Sequence, residues 1–404
     1  MEKQNALNVQ EPSKKLWYIS WMIPPSQGGS SYITHQLAKN FESQEIVVLG
    51  GSRKLFQGSK FYDGVLYHYF FTELNWKGHG DRFFFLPRLL LLFPIFVLNL
   101  FKLAKTEKPV AILTSFPDAF FLFASWLVAR FFKIKLFSYF HNTYVDNRHG
   151  FSKWIAEKIQ SKVFSDSSLI FVMSDGMKDY YKLQYPEYAQ KIATLPHTFD
   201  VYPKDPDSKV NFKSTPPFRL ILIGTFNNSN IEATGRLLKL LSKHRDTYLV
   251  DIYTSTNKNI LKLKWGLDLD ALGINHRGFV KQENVNALFE NYDVCLLTHG
   301  FTGEYTEVEY QTIFPTRTIP LLLSGKPILA HSPLNSFLTN FIQKFDCAEL
   351  VTEPSELSLL NGLLRVTEDS ARKHQLILNA KVAAHSFYGP TVVENLKKLL
   401  GLAT

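Results

Sequence analysis

Short apolar runs alternate with helically spaced apolar residues along the first half of the chain. The run Leu16 to Met22 is rich in β-forming residues, and a turn containing Pro and Gly follows it. Ser30 is placed to cap a helix. The apolar residues that then recur at helical spacing are Ile33, Leu37, Ala38 and Phe41. Further strands are predicted at Glu45 to Leu49, Val110 to Ser115, Leu136 to Phe140 and Leu169 to Met173. Strands that alternate with helices predict a parallel sheet covered on both faces.

The pattern is interrupted between Tyr202 and Pro217, where four prolines stand among polar residues and predict a linker. Alternation then restarts. Strands are predicted at Arg219 to Phe226, Val250 to Thr254, His276 to Val280, Asp293 to Thr298, Pro327 to His331 and Ala348 to Val351. Helices are predicted at Ile231 to Lys243, Glu283 to Asn291, Thr316 to Ser324, Leu334 to Lys344 and Ser355 to Val366.

This alternation predicts two α/β domains of similar size. The predicted division is a flexible tail over 1–15, an N-terminal Rossmann-like domain over 16–202, a linker over 203–217, a C-terminal Rossmann-like domain over 218–385, and a C-terminal helix over 386–404 that is free to pack back on the N-terminal domain. We expect ligand-binding loops in both domains. Open parallel sheets bind ligands at the carboxyl ends of their strands, so these loops are where chemistry is sought.

Basic and aromatic residues are concentrated together in one part of the chain. The whole chain has 45 Lys and Arg against 36 Asp and Glu, a formal net charge of +9. The segment from Lys77 to Lys135 holds nine of the basic residues and three acidic ones, and it is also rich in phenylalanine. Basic side chains mixed with exposed aromatic residues are typical of proteins that bind an anionic membrane surface. Nucleic-acid binding is disfavoured, because these basic residues lie in an apolar stretch and not along a polar groove.

Three further features bear on location. The apolar run Leu89 to Phe101 is short for a bilayer span, which takes about 20 residues, so we predict an amphipathic or buried helix there, with insertion into the membrane as the alternative. Residues Met1 to Lys15 lack the apolar core of a signal peptide. Cys295 and Cys347 have no metal-ligand spacing, which argues against a zinc site. We expect a cytoplasmic protein, peripheral at the inner face of the plasma membrane.

Two loops after predicted strands of the first half are candidates for ligand binding. One contains Gly28 and Gly29, where the backbone can approach a ligand closely and the amides of the next helix attract an anion. A glycine turn without a ligand explains the same residues equally simply. The other begins with His141-Asn142. The imidazole there can hydrogen-bond a sugar hydroxyl or a phosphate, or only its own loop.

A third candidate loop, Thr312 to Arg317, precedes an apolar helix. Pro315 suits the first helical position, because the missing N–H needs no partner there. The amides of Thr316 and Arg317 would then face a ligand, and the Arg317 guanidinium matches phosphate. These groups predict metal-independent binding of a diphosphate, and an arginine solvated on a helix surface is the alternative. The acidic residues just upstream, Glu304, Glu307 and Glu309, are interpreted as solvated surface, so no metal site is predicted.

Read in order, these segments resemble the retaining glycosyltransferases of family 4, which have the two-domain GT-B fold. In the first half the resemblance lies in Gly28-Gly29 with Tyr32 to Ala38, in His141-Asn142, in Ser174 to Met177 and in Leu195 to Asp200. In the second half it lies in His276 to Val280, Leu288-Phe289, Tyr292 to Val294, Phe314 to Arg317 and Leu323 to Leu329. It covers residues 17–400 and implies an α/β fold of two Rossmann-like, doubly wound domains facing across a cleft.

The resemblance implies transfer of a sugar from a nucleotide-diphosphate donor, UDP- or GDP-linked, with retained anomeric configuration and without a cofactor or a metal. His141 and Arg317 are the implied catalytic residues. The implied donor-binding residues are Gly28, Gly29, Gly224, Asn227, Phe279, Val280, Thr312, Thr316 and Arg317. The resemblance also implies that the N-terminal domain binds the acceptor and the C-terminal domain binds most of the donor. We expect the acceptor to be a glycan or a lipid-linked glycan in cell-envelope or exopolysaccharide synthesis.

Part of the family pattern is missing. Many members carry two glutamates separated by seven residues, one for the donor sugar and one for the ribose, and Thr312 and Pro320 occupy these positions here. The loop Gly224 to Asn228 also lacks the Arg and Lys that often hold the diphosphate, and Arg317 is the candidate replacement. The alternatives are a catalytically silent scaffold, a nucleotide-sugar-binding partner protein, and an epimerase on the same architecture.

Overall fold

The computed structural model describes most of the chain. The described residues are 15–26, 29–54, 58–73, 88–116, 118–146, 148–203, 213, 215–281 and 284–402. Parts of four predicted features lie outside them: residues 1–14 of the tail, Gly28, residues 77–87 of the basic segment, and residues 204–212 and 214 of the linker.

The chain forms two compact units. The first comprises Met1–Met173, Lys182–Thr198 and Gly389–Thr404, and the second comprises Ser174–Tyr181 and Phe199–Tyr388. Residues 174–181 thus group with the second unit, and the last residues of the chain group with the first. The continuous ranges 16–202 and 218–385 stay a prediction about domains.

The first unit is built on an eight-stranded sheet within the described residues. Its strands are β1 Leu16–Ser20, β2 Ile46–Ser52, β3 Ser59–Tyr62, β4 Val65–Phe71, β5 Ala111–Phe116, β6 Lys135–Phe140, β7 Ser167–Val172 and β8 Ile192–Thr194. They lie in the order β3-β4-β2-β1-β5-β6-β7-β8, and every neighbouring pair is parallel except β3 and β4. Every residue of β1 and β2 is buried, as expected of central parallel strands covered on both faces.

Four helices follow strands of this sheet: α1 Gly29–Ala38, α2 Phe93–Glu107, α3 Ala119–Phe132 and α4 Gly150–Asp166. A π-helical turn, Arg88–Leu92, leads directly into α2. Together they form a continuous helix of 20 residues, which by length and composition alone could cross a membrane. The apolar run Leu89 to Phe101 is therefore part of a longer helix than the sequence suggested, because the helix continues through Lys102 and Lys105 to Glu107. Most of this helix is not buried.

The second unit contains a six-stranded parallel sheet within the described residues. Its strands are β9 Phe218–Ile223, β10 Tyr248–Tyr253, β11 Asn275–Gly278, β12 Val294–Thr298, β13 Ile328–His331 and β14 Glu349–Val351, in the order β11-β10-β9-β12-β13-β14. The helices are α5 Asp175–Gln184, α6 Ile231–Ser242, α7 Lys258–Trp265, α8 Val285–Phe289, α9 Glu307–Thr312, α10 Thr318–Leu322, α11 Phe337–Phe345, α12 Glu356–Glu368 and α13 Ser370–Ala384. Strands β9 and β12 are neighbours at the middle of this sheet, so the loops that follow them start side by side.

The last helix, α14 Gly389–Leu400, packs against α1 in the first unit. It buries Val392, Val393, Leu396 and Leu400. Lys397 forms an ion pair of 2.5 Å with Glu45, and its Nζ lies 5.3 Å from the centre of the Phe41 ring. The apolar face predicted for α1 is confirmed, since Ile33, Leu37 and Ala38 are buried.

Candidate functional site

Arg317 spans the carboxyl ends of two central strands of the second unit. Its Nη2 donates to the carbonyl oxygen of Thr298, the last residue of β12, at 2.6 Å. Its Nη1 donates to the carbonyl oxygen of Thr225, two residues after β9, at 3.4 Å. The Nε atom is buried and has no hydrogen-bond partner among the described residues. Because a guanidinium has five N–H donors, these two bonds leave donors available to a ligand.

The charge of Arg317 is not balanced by a carboxylate in the described part of the chain. Burial lowers the pKa of Arg317 to about 10, which still leaves the group protonated at neutral pH. A largely desolvated cation is costly unless an opposite charge or hydrogen-bond acceptors compensate it, and here only two carbonyl oxygens do so. The arrangement is therefore suited to an anion.

Gly224 leaves the space that the Arg317 side chain fills. Its φ is +121°, a value that L side chains rarely adopt, and a Cβ atom built on it would lie 3.1 Å from Arg317 Cδ. The structure thus brings together Gly224 and Arg317, two of the residues predicted from the sequence.

Asn227 shapes the loop after β9. Its Oδ1 accepts hydrogen bonds from the Ser229 backbone N–H at 2.9 Å and from the Ser229 hydroxyl at 2.6 Å. This loop is tied to the loop after β12, because the Gly300 N–H donates to the Ser229 carbonyl at 2.7 Å and the Tyr310 hydroxyl donates to the Asn228 carbonyl at 2.9 Å. The contact of Asn227 with a donor stays a prediction, and its observed bonds to Ser229 fix the shape of the loop after β9.

The segment around Pro315 differs from the predicted helix start. Helix α10 begins at Thr318, three residues after Pro315, and has only five residues. A turn therefore precedes it, in which the Thr318 N–H donates to the Pro315 carbonyl at 2.9 Å. The predicted helix start at Pro315 is wrong, because neither Thr316 nor Arg317 lies in the helix. That the backbone amides of these two residues face a ligand stays a prediction. The positive group that the structure places here is the guanidinium of Arg317.

The two positions that replace the family glutamates are both inaccessible. Thr312 is buried at the end of α9, where its hydroxyl donates to the Val308 carbonyl at 2.8 Å and its own carbonyl accepts from the Ser174 hydroxyl at 2.9 Å. Pro320 is buried inside α10. Thr316 is partly exposed, so of the two predicted threonine hydroxyls the Thr316 hydroxyl is the more accessible.

Phe279 and Val280 follow β11 at the edge of the sheet. The Phe279 side chain is 57% exposed, and Val280 is partly buried. Gly278, just before them, has a φ of +75° and turns the chain at the end of the strand. The Phe279 ring therefore has a face open to solvent, as a stacking contact with a planar base requires.

His299 is a residue of this site that the sequence analysis missed. It is fully buried directly after β12, and its Nε2 donates to the Tyr310 carbonyl at 2.7 Å. Its Nδ1 is then the unprotonated nitrogen, and this atom has no partner among the described residues. Burial, together with the nearby Arg317 charge, lowers the pKa of His299 to about 4, so the ring is neutral. The signal for His299 in the sequence was its position directly after a predicted strand, where functional side chains are expected.

The acidic residues upstream of Arg317 are only partly as predicted. Glu304 is exposed and its Oε2 accepts from Asn228 Nδ2 at 2.5 Å, and Glu307 accepts from Gln311 at 2.8 Å. Glu309 is buried, so the solvated interpretation is wrong for this residue: it lies inside α9, where the short helix turns it inward. Among the described residues, no group of three or more His, Cys, Asp or Glu side chains is arranged to hold a metal ion.

His141 occupies the carboxyl edge of the first unit's sheet. It follows β6 directly and is buried, with its ring packed edge-on against Tyr139 at 4.3 Å and against His197 at 5.3 Å between ring centres. Its Nε2 has no hydrogen-bond partner in the part of the chain that is described. Burial and the neighbouring His197 hold the pKa of His141 well below its ordinary value, so the ring is a neutral donor or acceptor.

Gly29 is the first residue of α1. A Cβ atom built on it would meet nothing within 4 Å, so packing does not require a glycine at this position. Gly28, which precedes it, lies outside the described residues. The glycine loop therefore stays a prediction.

Residues 27–201 match Glycosyltransferase Family 4. Several solved structures are similar over nearly the whole chain. Sucrose-phosphate synthase from Thermosynechococcus elongatus is 13% identical with a TM-score of 0.69, over 95% of this chain and 98% of that one. HepE from Anabaena, solved with UDP-glucose, is 14% identical with a TM-score of 0.67, over 96% of this chain and 100% of that one. A glycosyltransferase from Rickettsia africae is 14% identical with a TM-score of 0.65, over 96% and 100%.

No curated protein sequence is significantly similar to the chain. The structural likenesses, at these low identities, show the fold. They confirm the predicted GT-B class, in which each of the two units is an α/β unit with a parallel sheet. The family match confirms the resemblance read from the sequence.

Proposed function

Since residues 27–201 form a Glycosyltransferase Family 4 domain in a chain with the GT-B fold, the protein is a glycosyltransferase, and we propose that it moves a sugar from a UDP- or GDP-linked donor to a lipid-linked glycan with retained anomeric configuration. UDP is the first choice, because HepE was solved with UDP and with UDP-glucose. The proposal places the reaction at the inner face of the plasma membrane, in the synthesis of an envelope glycan or an exopolysaccharide.

The donor proposal rests on Arg317. When the bond between the sugar and the diphosphate breaks, negative charge grows on the leaving phosphate oxygen. A protonated guanidinium already fixed by the Thr298 and Thr225 carbonyls meets that charge without having to reorganise, and electrostatic stabilisation of this kind is a large contribution to catalysis. No metal is needed in this scheme. The exposed ring of Phe279 is the proposed stacking surface for the base.

His141 is proposed to act on the sugar side of the reaction. Its neutral ring and its buried Nε2 suit a hydrogen bond to a sugar hydroxyl, in which the imidazole donates or accepts one proton without carrying charge. Such a bond orients the reacting group. A charged acid or base is not implied, because burial disfavours the imidazolium.

The membrane part of the proposal rests on the exposed side of α2. Ile95 and Leu98 in α2 are 53% and 60% exposed, and Leu91, in the π-helical turn that leads into α2, is 62% exposed. These three residues are spaced along one face of the continuous helix. Lys102 and Lys105 continue the same face and are also exposed. We call this face the α2 surface. Apolar side chains that enter the boundary of the bilayer, followed by lysines at the headgroups, are the pattern of an interfacial helix.

A panel of nucleotides tests the donor. The thermal stability of the purified protein is measured with UDP, GDP, dTDP and CMP. A specific nucleotide at a hundredfold excess over its Kd raises the free energy of unfolding by about 2.7 kcal/mol, and we expect this for UDP or GDP alone. Equal, small effects of all four nucleotides would contradict the proposed donor class.

The stereochemistry needs a separate measurement. The enzyme is incubated with a membrane extract and a radiolabelled donor of the nucleotide class identified above, and the anomeric configuration of the transferred sugar is determined by NMR of the released glycan. We expect the configuration of the donor. An inverted product would remove retention from the proposal while leaving sugar transfer intact.

A further inference from the structure

A cavity of about 350 Å³ lies at the amino edge of the first unit's sheet, away from the strand ends that carry His141. It is bounded by the last turns of α3 and by the first residues of β6 and β7. Its volume falls in the range of small-ligand sites, roughly 300–1,000 Å³. Nothing in the proposed transfer reaction uses it.

The walls of this cavity are basic. Arg130, Lys133 and Lys135 line it together with a single carboxylate, Asp166. That carboxylate is already occupied, because the same Oδ2 accepts from Trp126 Nε1 at 2.8 Å and from Arg130 Nη1 at 2.9 Å. Neither Lys133 nor Lys135 forms an ion pair within the described residues. The cavity therefore has excess positive charge available to an anion.

An exposed aromatic residue is the sequence neighbour of a residue that lines the cavity. Phe131 follows Arg130 in α3, is 66% exposed, and the centre of its ring lies 4.8 Å from that of Phe101 in α2. The basic cavity and an exposed apolar side chain in contact with α2 therefore lie next to each other at the end of α3. A phospholipid offers both chemistries at once, with a phosphate next to its acyl chains.

We infer that this cavity binds the phosphate of an anionic phospholipid headgroup while Phe131 enters the acyl boundary beside it. The inference rests on the membrane surface in the proposed function, and it adds to that surface a defined site for one lipid. Arg130 contributes a planar fork to the phosphate oxygens, and Lys133 and Lys135 contribute point charges. The α2 surface thus brings the protein to the bilayer, and the cavity adds selectivity for an anionic lipid.

The first test measures binding to vesicles of pure phosphatidylcholine and of phosphatidylcholine mixed with phosphatidylglycerol. We expect the wild-type protein to bind both and to prefer the mixed vesicles. The triple variant Arg130→Gln, Lys133→Asn, Lys135→Gln should lose about 100-fold in affinity for the mixed vesicles, since each basic residue near the surface contributes about 1 kcal/mol. Asparagine is chosen for Lys133 because that residue has a left-handed φ of +55°.

Two matched controls separate the cavity from charge in general. The variant Lys258→Gln, Lys262→Gln, Lys264→Gln removes the same number of charges from α7 in the second unit, and we expect its preference to stay within about twofold of wild type. Phe131→Ser should weaken binding to both vesicle types. Leu263→Ser, at a residue that is 85% exposed in α7, should change neither.

The decisive variant is Ser168→Trp, which fills the cavity without changing charge, because Ser168 is an exposed residue of its lining. We expect it to lose about tenfold of the preference for the mixed vesicles, the effect of about 1.4 kcal/mol, and to bind pure phosphatidylcholine as the wild type does. An unchanged preference for the mixed vesicles would contradict lipid binding in the cavity. The general positive charge of the surface would then explain the preference. Failure of the wild type to bind any vesicle would instead contradict the membrane part of the proposed function.

A soluble probe distinguishes lipid from free anion. Short-chain phosphatidylglycerol and inorganic phosphate are titrated against the wild type and the Ser168→Trp variant, with the NMR signals of Trp126 and its neighbours as the readout. We expect saturable shifts with the short-chain lipid in the wild type only. Equal saturation by inorganic phosphate would show a general anion site and would overturn the assignment to a lipid headgroup.

Discussion

The two sheets of this protein carry opposite kinds of polar group at their carboxyl edges. In the first unit, His141 lies after β6 as a buried ring that is kept neutral. In the second unit, Arg317 lies across the ends of β9 and β12 as a cation with no carboxylate partner in the described part of the chain. Two similar architectures thus present a neutral hydrogen-bonding group in one case and a fixed positive charge in the other. The difference matches a reaction in which an uncharged acceptor receives a sugar and an anionic diphosphate leaves.

The largest effect is expected when the charged edge is made neutral. Arg317→Gln should slow turnover 10- to 1000-fold, which corresponds to about 1.4–4 kcal/mol of transition-state stabilisation. Steady-state transfer with the identified donor measures it, and the melting temperature checks that the protein is folded. Unchanged kinetics in a folded variant would remove Arg317 from the site.

Arg245 provides a matched control for that change. It also lies against a glycine with positive φ, Gly273, and donates to two backbone carbonyls, of Ser242 and of Ala271, each at 3.0 Å. Arg245→Gln removes a comparable set of structural bonds from an exposed site. It should therefore leave turnover unchanged, so that any loss specific to Arg317→Gln reports on the ligand.

A smaller effect is expected at the neutral edge. In His141→Asn the side-chain amide lies near the position of Nδ1. In His141→Gln it reaches the position of Nε2, the atom that has no hydrogen-bond partner among the described residues. We expect His141→Asn to lose about 5- to 150-fold in kcat/KM, equivalent to about 1–3 kcal/mol for one buried hydrogen bond, and His141→Gln to lose less. Equal losses in the two variants would show that the hydrogen bond at Nε2 is not the one that matters.

Replacing Gly224, the glycine beside the Arg317 side chain, is expected to affect both the stability of the protein and nucleotide binding. Gly224→Ala should lower the free energy of unfolding by about 1–2 kcal/mol, because alanine is strained at a φ of +121° and its Cβ contacts the arginine. Gly273→Ala introduces a similar strain beside Arg245. Chemical denaturation should show both losses, and only Gly224→Ala should also weaken nucleotide binding. A matching loss of binding in Gly273→Ala would mean that destabilisation alone explains it.

The two edges also share an expected pH dependence of the free energy of unfolding. Burial lowers the pKa of both His197 and His299 from the ordinary 6.5 to about 4. Between pH 6.5 and about 4, these two histidines bind protons in the unfolded chain and exclude them in the folded protein. The free energy of unfolding is therefore highest above pH 6.5 and falls as the pH falls toward 4. Denaturation should show a decline of about 1 kcal/mol per pH unit for each histidine. His197→Gln and His299→Gln should each flatten the decline, and an unchanged slope in either would contradict the low pKa of that histidine.

Much of the fold could be read from the sequence, because buried parallel strands are continuous apolar runs. The runs at Leu16, Leu136 and Asp293 all lie at strands of the structure. The hairpin of β3 and β4 was missed. Ser59–Tyr62 is short and exposed at every position, whereas Val65–Phe71 is rich in β-forming residues and could have been predicted as a strand. Helix α13 was missed for a related reason, as its apolar residues are mixed with many polar ones along Ser370–Ala384.

The candidate site could be predicted only where a motif marks it. Gly224 and Arg317 belong to recognisable sequence motifs, and the structure places them in contact. His299 directly follows a predicted strand, which was a usable signal, but its complete burial and that of Glu309 depend on the fold of the segment after β12, which no pattern in the sequence shows. The length of α10 could not be predicted either. Pro315 marks a helix start in the sequence, but a turn follows it and the helix begins only at Thr318.

The position of α14 has a consequence for how the first unit folds. This helix follows the main part of the second unit in the sequence, yet it supplies Val392 and Leu396 to the core beside α1. During synthesis the α1 side of that core therefore stays uncovered until the second unit has been made and α14 has followed it. The apolar surface that is exposed in the meantime makes the nascent chain a natural client for chaperones.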